Sequence, residues 1–210
     1  VVKTPRPWGL ISLGVAVALA AVGIIGYGAY QARDAGLPFG QQAAQKIDGV
    51  VNYRVKDPKS LTRNHKTGDL KYKVSPPVGG DHNPSWQNCE GDVYGAQIAD
   101  ENGVHSLEHG SVWITYRPDL PKDQVAALAK KVKGRGYMLM SPYPGLDKPI
   151  SLQAWGFQLK LDKASDPRVD KFIKAFRTKA SVEAGAVCSN GVTETGTEPK
   201  TAPAAGGSMP

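Results

Sequence analysis

The chain has 210 residues, a formal net charge of +7, 24 glycines, 16 prolines, two cysteines and four histidines. That length accommodates one globular domain with a sizeable core beside short flanking segments. It carries no C-x-x-C, no C-x-x-C-H, no phosphate-cradling Gly loop and no G-x-S-x-G, which argues against dithiol redox, c-type haem, P-loop and nucleophile-elbow chemistry.

The N-terminus sets the expected compartment. Residues 1–7 form a stub with Lys3 and Arg6, and residues 8–30, from Trp8 to Tyr30, hold no charged side chain. Such a run is long enough to cross a hydrocarbon core of ~30 Å as one helix. Trp8 at one end and Tyr27 and Tyr30 at the other match the aromatic belt of membrane interfaces. The positive-inside rule then places the stub in the cytoplasm and everything after residue 31 outside it. A cleaved signal peptide is the rival reading, with Gly26-Tyr27-Gly28 as its small-x-small site. Gly14, Gly23, Gly26 and Gly28 suit close contact with another helix in the membrane. Residues 31–46 read as a linker.

Residues 47–190 read as one extracytoplasmic domain. Val50 to Val55 is expected to be a strand, and the polar loop around His65 is expected to be solvated. Residues 75–110 show little periodicity and many Pro, Gly and Asn residues, the pattern of a long irregular segment with a function or a tether. Val112 to Tyr116 is a strand, and Pro121 to Val132 is a helix with Pro at its first turn and Val125, Leu128, Ala129 and Val132 on one face. The basic run at 130–135 reads as a solvated helix end. Tyr137 to Met140 is the next strand, ended by Pro142-Tyr143-Pro144-Gly145, and Ile150 to Leu161 reads as one long strand. Asp166-Pro167 opens a last helix with Val169, Phe172, Ile173 and Phe176 on one face. The sum is an α+β fold: an N-terminal transmembrane helix and a small mixed-sheet domain with two helices. Residues 191–210, rich in Thr, Gly, Pro and Ala, form a tail expected to be disordered unless a partner pins it.

Cys89 and Cys188 make an even count that favours one disulfide in an oxidising compartment. Two free buried thiols, or a metal role for Cys89, are the alternatives. His82, His105 and His109, with Glu108 beside the last, are candidate ligands for a transition metal, copper or zinc. Glu108 would bind directly or fix a histidine tautomer. The four-residue spacing puts His105 and His109 on one face if the backbone there is helical. A thioether from Met138 or Met140 would favour copper, and alternation is taken to let only one of them face the site. The bland alternative is a hydrogen-bonded polar cluster holding the irregular segment to the sheet.

P-P-V-G-G-D-H-N-P-S-W-Q-N-C at 76–89, V-H-S-L-E-H-G-S-V-W-I-T-Y at 104–116 and S-P-Y-P-G-L at 141–146 resemble the uncharacterised DUF3105 family. That resemblance implies a membrane-anchored or secreted bacterial protein, of a kind common in actinobacteria, and places His82, Trp86, His105, Glu108, His109 and Tyr116 at motif positions. It carries no activity. His105-Ser106-Leu107-Glu108-His109 also matches the inverted zinc-peptidase motif, for which Glu183 could serve as the distant acidic ligand. Gly110 and the strand from Val112 lead us to expect no long helix there, and so no peptidase. The expected function is an extracytoplasmic metal-binding protein without a catalytic set. The alternative is an accessory subunit of a larger bacterial membrane complex, respiratory or transport. Nucleic acid is not an expected partner outside the cytoplasm.

Overall fold

The computed structural model describes residues 19–25, 42, 44, 46–183 and 185–202. The chain divides into two compact units, 1–42 and 43–210. In the first, residues 19–25 are helical and exposed. The rest of the expected anchor over 8–30, the stub and most of the linker lie outside the described residues. Among the described residues no helix is long and apolar enough to cross a membrane.

The second unit is a mixed α+β domain. Its strands are β1 (Val51–Asn52), β2 (Glu90–Val93), β3 (Val112–Tyr116), β4 (Met138–Pro142), β5 (Ile150–Ala154) and β6 (Phe157–Leu161). Its helices are α1 (Tyr53–Lys56), α2 (Asp100–Glu108), α3 (Lys122–Val132) and α4 (Arg168–Phe176). The six strands form one sheet in the order β1-β6-β5-β3-β4-β2. β3 pairs parallel with β4 and β4 parallel with β2, while the β3–β5, β5–β6 and β6–β1 pairs are antiparallel.

Alternation along the strands splits the core into two faces. Val112, Ile114, Met138, Met140, Ile150, Leu152, Phe157 and Leu159 pack with Leu128 and Val132 of α3 and with Val169, Phe172, Ile173 and Phe176 of α4. Each such side chain buried contributes about 1.5–3 kcal/mol. The other face carries Trp113 and Leu139, packed with Cys89, Ile98, Val104, Leu107 and Cys188. Thr115, Ser141, Ser151, Gln153 and Gln158 on this face are polar and buried, and they bond to one another, to Trp113 or to the segment laid over the sheet. Trp113 Nε1–H donates to Ser141 Oγ at 3.0 Å, and Gln158 Nε2–H donates to the Pro76 carbonyl at 2.9 Å. Polar strand residues suit this face because the segment laid over it offers backbone groups as well as apolar side chains.

Four expectations need correction. The strand expected over 50–55 stops after Asn52, whose Oδ1 accepts the Arg54 N–H at 3.0 Å and caps α1. The long strand over 150–161 is a hairpin, because Gly156 takes φ +79° and turns the chain at Trp155-Gly156. The irregular stretch 75–110 contains β2 and α2. Residues 191–202, which composition gave no reason to order, are hydrogen-bonded to the domain itself. Val192 N–H reaches the Trp86 carbonyl at 2.8 Å, and Lys200 N–H reaches Asn102 Oδ1 at 2.8 Å. Backbone pairing to 86–102 replaces the apolar burial that the tail lacks.

Candidate metal centre

Helix α2, nine residues long, carries the H-x-x-E-H string up to its C-cap His109, which supplies the helical backbone that a shared face for His105 and His109 requires. It is buried from Glu101 to Glu108, so it needs no amphipathic stripe. Gly103 lets it lie close on the sheet: a Cβ there would meet Trp113 Cζ3 at 2.8 Å. Gly110, at φ +103°, ends the helix. Its N–H bonds the Leu107 carbonyl at 2.9 Å and Ser111 N–H bonds the Ser106 carbonyl at 3.0 Å, a left-handed C-terminal turn that leads straight into β3. His105, Glu108 and His109 therefore share one face at i, i+3 and i+4.

His82 arrives from the long segment and His65 from the loop before it. The two are joined as a parallel bridge, with Lys66 N–H on the His82 carbonyl at 2.7 Å and His82 N–H on the Asn64 carbonyl at 3.1 Å. Asp81 tightens the join by accepting from Asn64 Nδ2 at 2.9 Å and pairing with Lys66. His65 is thus not merely solvated, as its polar surroundings suggested. Its ring stacks on His105 with centroids 4.8 Å apart and meets His82 at 5.0 Å.

The imidazoles converge. Ring centroids lie 4.8 Å apart for His82–His105 and 4.6 Å apart for His105–His109. In each of the three, Nδ1 lies 2.7 Å from a backbone carbonyl: Gly80 for His82, Asn83 for His105 and Val187 for His109. A carbonyl oxygen can only accept, so Nδ1 carries the proton and Nε2 holds a lone pair whenever the ring is neutral. His82 is fully buried, and its Nε2 has no hydrogen-bond partner. Glu108 Oε2 lies 2.8 Å from that atom. The separation is that of a hydrogen bond, but in the neutral ring both atoms are acceptors, so the pair is a close approach of two lone-pair-bearing atoms rather than a satisfied contact.

Two groups of candidate ligands have their donor atoms within 4.8 Å of one another: His65, His82, His105 and Glu108, and His105, His109 and Glu183. His105 belongs to both, whereas His82 and His109 share neither. The expected set of His82, His105, His109 and Glu108 is therefore divided in two. Glu183 lies 3.3 Å from His109 Nε2 and is half exposed, while His109 is buried.

Burial pushes the His105 imidazole down to about 3, with His109, His82 and His65 adding to it and the Asn83 carbonyl opposing. His105 is neutral at physiological pH. Burial also lowers His109, against the Val187 carbonyl and Glu183. Burial works to raise the Glu108 carboxyl, but the neighbouring His82, His105 and His65 outweigh it and hold the group below its ordinary value. His105 thus presents a neutral imidazole beside the Glu108 carboxylate, the protonation states that metal ligands require.

Three nitrogens and one oxygen suit a four-coordinate divalent ion at about 2.0–2.2 Å from each donor, which puts ligand atoms roughly 3.3 Å apart. Among His65, His82, His105 and Glu108 the donor atoms lie within 4.8 Å of one another, with His82 Nε2 and His65 Nε2 at 2.8 and 3.9 Å from Glu108 Oε2, so closing on an ion shortens the widest separations by up to about 1.5 Å. Sulfur is absent. Cys89 is in a disulfide with Cys188, as expected. Met138 and Met140, as residues i and i+2, share a strand face, so alternation does not separate them as was expected, and neither turns to the site. Both are buried on the α3/α4 side of the sheet. Trp86 covers the cluster instead, with ring centroids 5.7 Å from His105 and 5.0 Å from His109.

His65 and the orienting carbonyls of Gly80, Asn83 and Val187 had no signal in the sequence, since the backbone fold alone brings them in. Glu183 had appeared only as the acidic ligand of a peptidase motif. A family model described as "Protein of unknown function (DUF3105)" matches residues 64–190, and the chain belongs to that family. The match covers every residue of both ligand groups. No curated protein and no solved structure matches the chain.

Proposed function

We propose that this member of the DUF3105 family is a membrane-tethered, extracytoplasmic protein of the bacterial cell envelope that holds a divalent transition metal, zinc or copper, at the His cluster. One observation carries the reading. Three imidazoles each give Nδ1–H to a backbone carbonyl and turn Nε2 inward, and His82 Nε2 is buried without a hydrogen bond. A cluster built only for stability would satisfy that nitrogen. Metal-binding histidines have their other ring nitrogen fixed in this way, which sets the tautomer and the ring direction. The all-N/O donor set favours Zn²⁺ or Cu²⁺ over Cu⁺, which prefers the thioethers that lie on the other side of the sheet. The charge-free run at 8–30 and the oxidised Cys89–Cys188 pair support the location.

The alternative, an accessory subunit of a membrane complex, drew part of its support from a tail that seemed to need a partner. Residues 191–202 find theirs in the 85–102 segment, so that support is withdrawn. Elemental analysis of the full chain, purified without chelators, tests the proposal. We expect about one equivalent of zinc or copper in the wild type, lost in His105→Ala. Metal content that is trace in the wild type, or unchanged by the substitution, would sink it.

A further inference from the structure

The two ligand groups invite a question that the metal-binding proposal, on which this inference rests, leaves open: how many ions are held, and by what route they arrive. The inner group is His65, His82, His105 and Glu108, and the outer is His105, His109 and Glu183. They differ at their carboxylates. Glu108 is nearly buried beside the fully buried His82, although His65 of the same group is half exposed. Glu183 is half exposed and stands with His109 in the wall of a surface cleft of about 460 Å³, whose lining includes Tyr137, Thr178, Ser181 and Val182.

His105 is common to both groups and can serve only one ion at a time. Its Nδ1–H is committed to the Asn83 carbonyl at 2.7 Å, which leaves a single lone pair, on Nε2. Charge points the same way. Glu108 and Glu183 are the only carboxylates in the two groups, and together they balance one dication. A second would leave two uncompensated positive charges in a largely buried cluster, with Arg63 already 4.0 Å from Glu108. Glu108 and His109 are consecutive in the chain, at the end of one helical turn from His105. A small rotation of the His105 ring about its retained Nδ1–H bond is therefore the motion that separates the two positions.

We infer that the cluster holds one divalent ion in two alternative positions. The ion is captured from the cleft by His109 and Glu183 with His105, then passed by His105 to His65, His82 and Glu108, where it is retained. The outer position has fewer protein ligands and an exposed carboxylate, so it exchanges with solvent or with a metal-bearing donor. The inner one has four protein ligands and a nearly buried carboxylate, so it binds more tightly. No bond to carbon and no electron is involved: one set of ligand bonds to the cation is exchanged for another.

The test uses the full chain, stripped with a chelator and offered Zn²⁺ for stoichiometry and Co²⁺ for stopped-flow absorption. The variants are Glu183→Gln, at an exposed position that leaves folding intact, and Glu108→Gln. The expected results are one ion per chain, an unchanged final Co²⁺ spectrum with loading slowed about tenfold or more in Glu183→Gln, and rapid capture with affinity weakened about 10–100-fold in Glu108→Gln. Two ions per chain, or wild-type loading in Glu183→Gln, would overturn the two-position account while leaving metal binding intact. Failure of the wild type to bind either ion would instead remove the metal-binding proposal, and this inference with it.

Discussion

Removing the Cys89–Cys188 disulfide should weaken the domain and also loosen one edge of the ligand cluster. The bond joins residues 99 apart in sequence, tying the start of β2 to the segment after α4. In the chain-entropy account, closing a loop of about 100 residues restricts the unfolded chain by about 4.7 kcal/mol. Residual compactness of the unfolded chain reduces that, so we expect a loss of about 3–5 kcal/mol for Cys89→Ala/Cys188→Ala. The native fold itself should survive. Asn88 N–H still meets the Val192 carbonyl at 2.8 Å, and Val192 N–H still meets the Trp86 carbonyl at 2.8 Å. The second consequence is local. The Val187 carbonyl that receives the His109 Nδ1–H is adjacent to Cys188. Freed of its tether, it holds His109 less well, and capture of metal at the outer position should slow. Urea unfolding of the two proteins, followed by tryptophan fluorescence, gives the stability difference. A difference below about 1 kcal/mol would refute the loop-closure reasoning.

Three other outcomes follow from the same geometry. Gly103→Ala gains about 1 kcal/mol of helix propensity, but its Cβ meets Trp113 at 2.8 Å. Overpacking of about 1–3 kcal/mol should win and lower the urea midpoint, and a raised midpoint would contradict the close approach of α2 to the sheet. Asp100 is held up at about 7 by burial, with the Tyr143 hydroxyl opposing and Glu101 and Asp69 adding. Its folded pKa lies above that of the unfolded chain, so its contribution is full below about pH 4 and is lost as pH rises through 7. Asp100→Asn should therefore be more stable than the wild type at pH 8, by about 1–3 kcal/mol, and equal to it at pH 4, whereas a pH-independent gap in urea unfolding would exclude this. Zn²⁺ at a hundredfold over Kd should stabilise the wild type by about 2.7 kcal/mol, raising Tm by roughly 5–10 °C. His105→Asn, which keeps a donor for the Asn83 carbonyl but lacks the inward lone pair, should show no zinc-dependent shift in differential scanning fluorimetry.

The elements with one apolar face were legible in the sequence. α4 repeats Val169, Phe172, Ile173 and Phe176 at helical spacing and buries all four, and β3 buries Val112 to Thr115. What escaped detection had no such face. α2 reads D-E-N-G-V-H-S-L-E and is buried nearly throughout, so its polar residues are matched by backbone groups of other segments rather than by water. The β5–β6 turn was passed over because its one turn residue, Gly156, stands between Trp155 and Phe157 in an otherwise apolar run. Of the site, His82, His105, His109 and Glu108 could be picked out by residue type and proximity. Their division into two groups could not, since it depends on the bridge that brings His65 to His82 and on the return of the chain to Glu183.

The central claim is that imidazole nitrogens and a carboxylate hold a metal here without sulfur. X-ray absorption at the metal edge of the zinc-loaded full chain tests it most directly. The account predicts a first shell of about three imidazole nitrogens and one oxygen at about 2.0–2.1 Å, with the outer-ring scattering of histidine. A sulfur shell near 2.3 Å, or an oxygen-only shell without imidazole scattering, would contradict it.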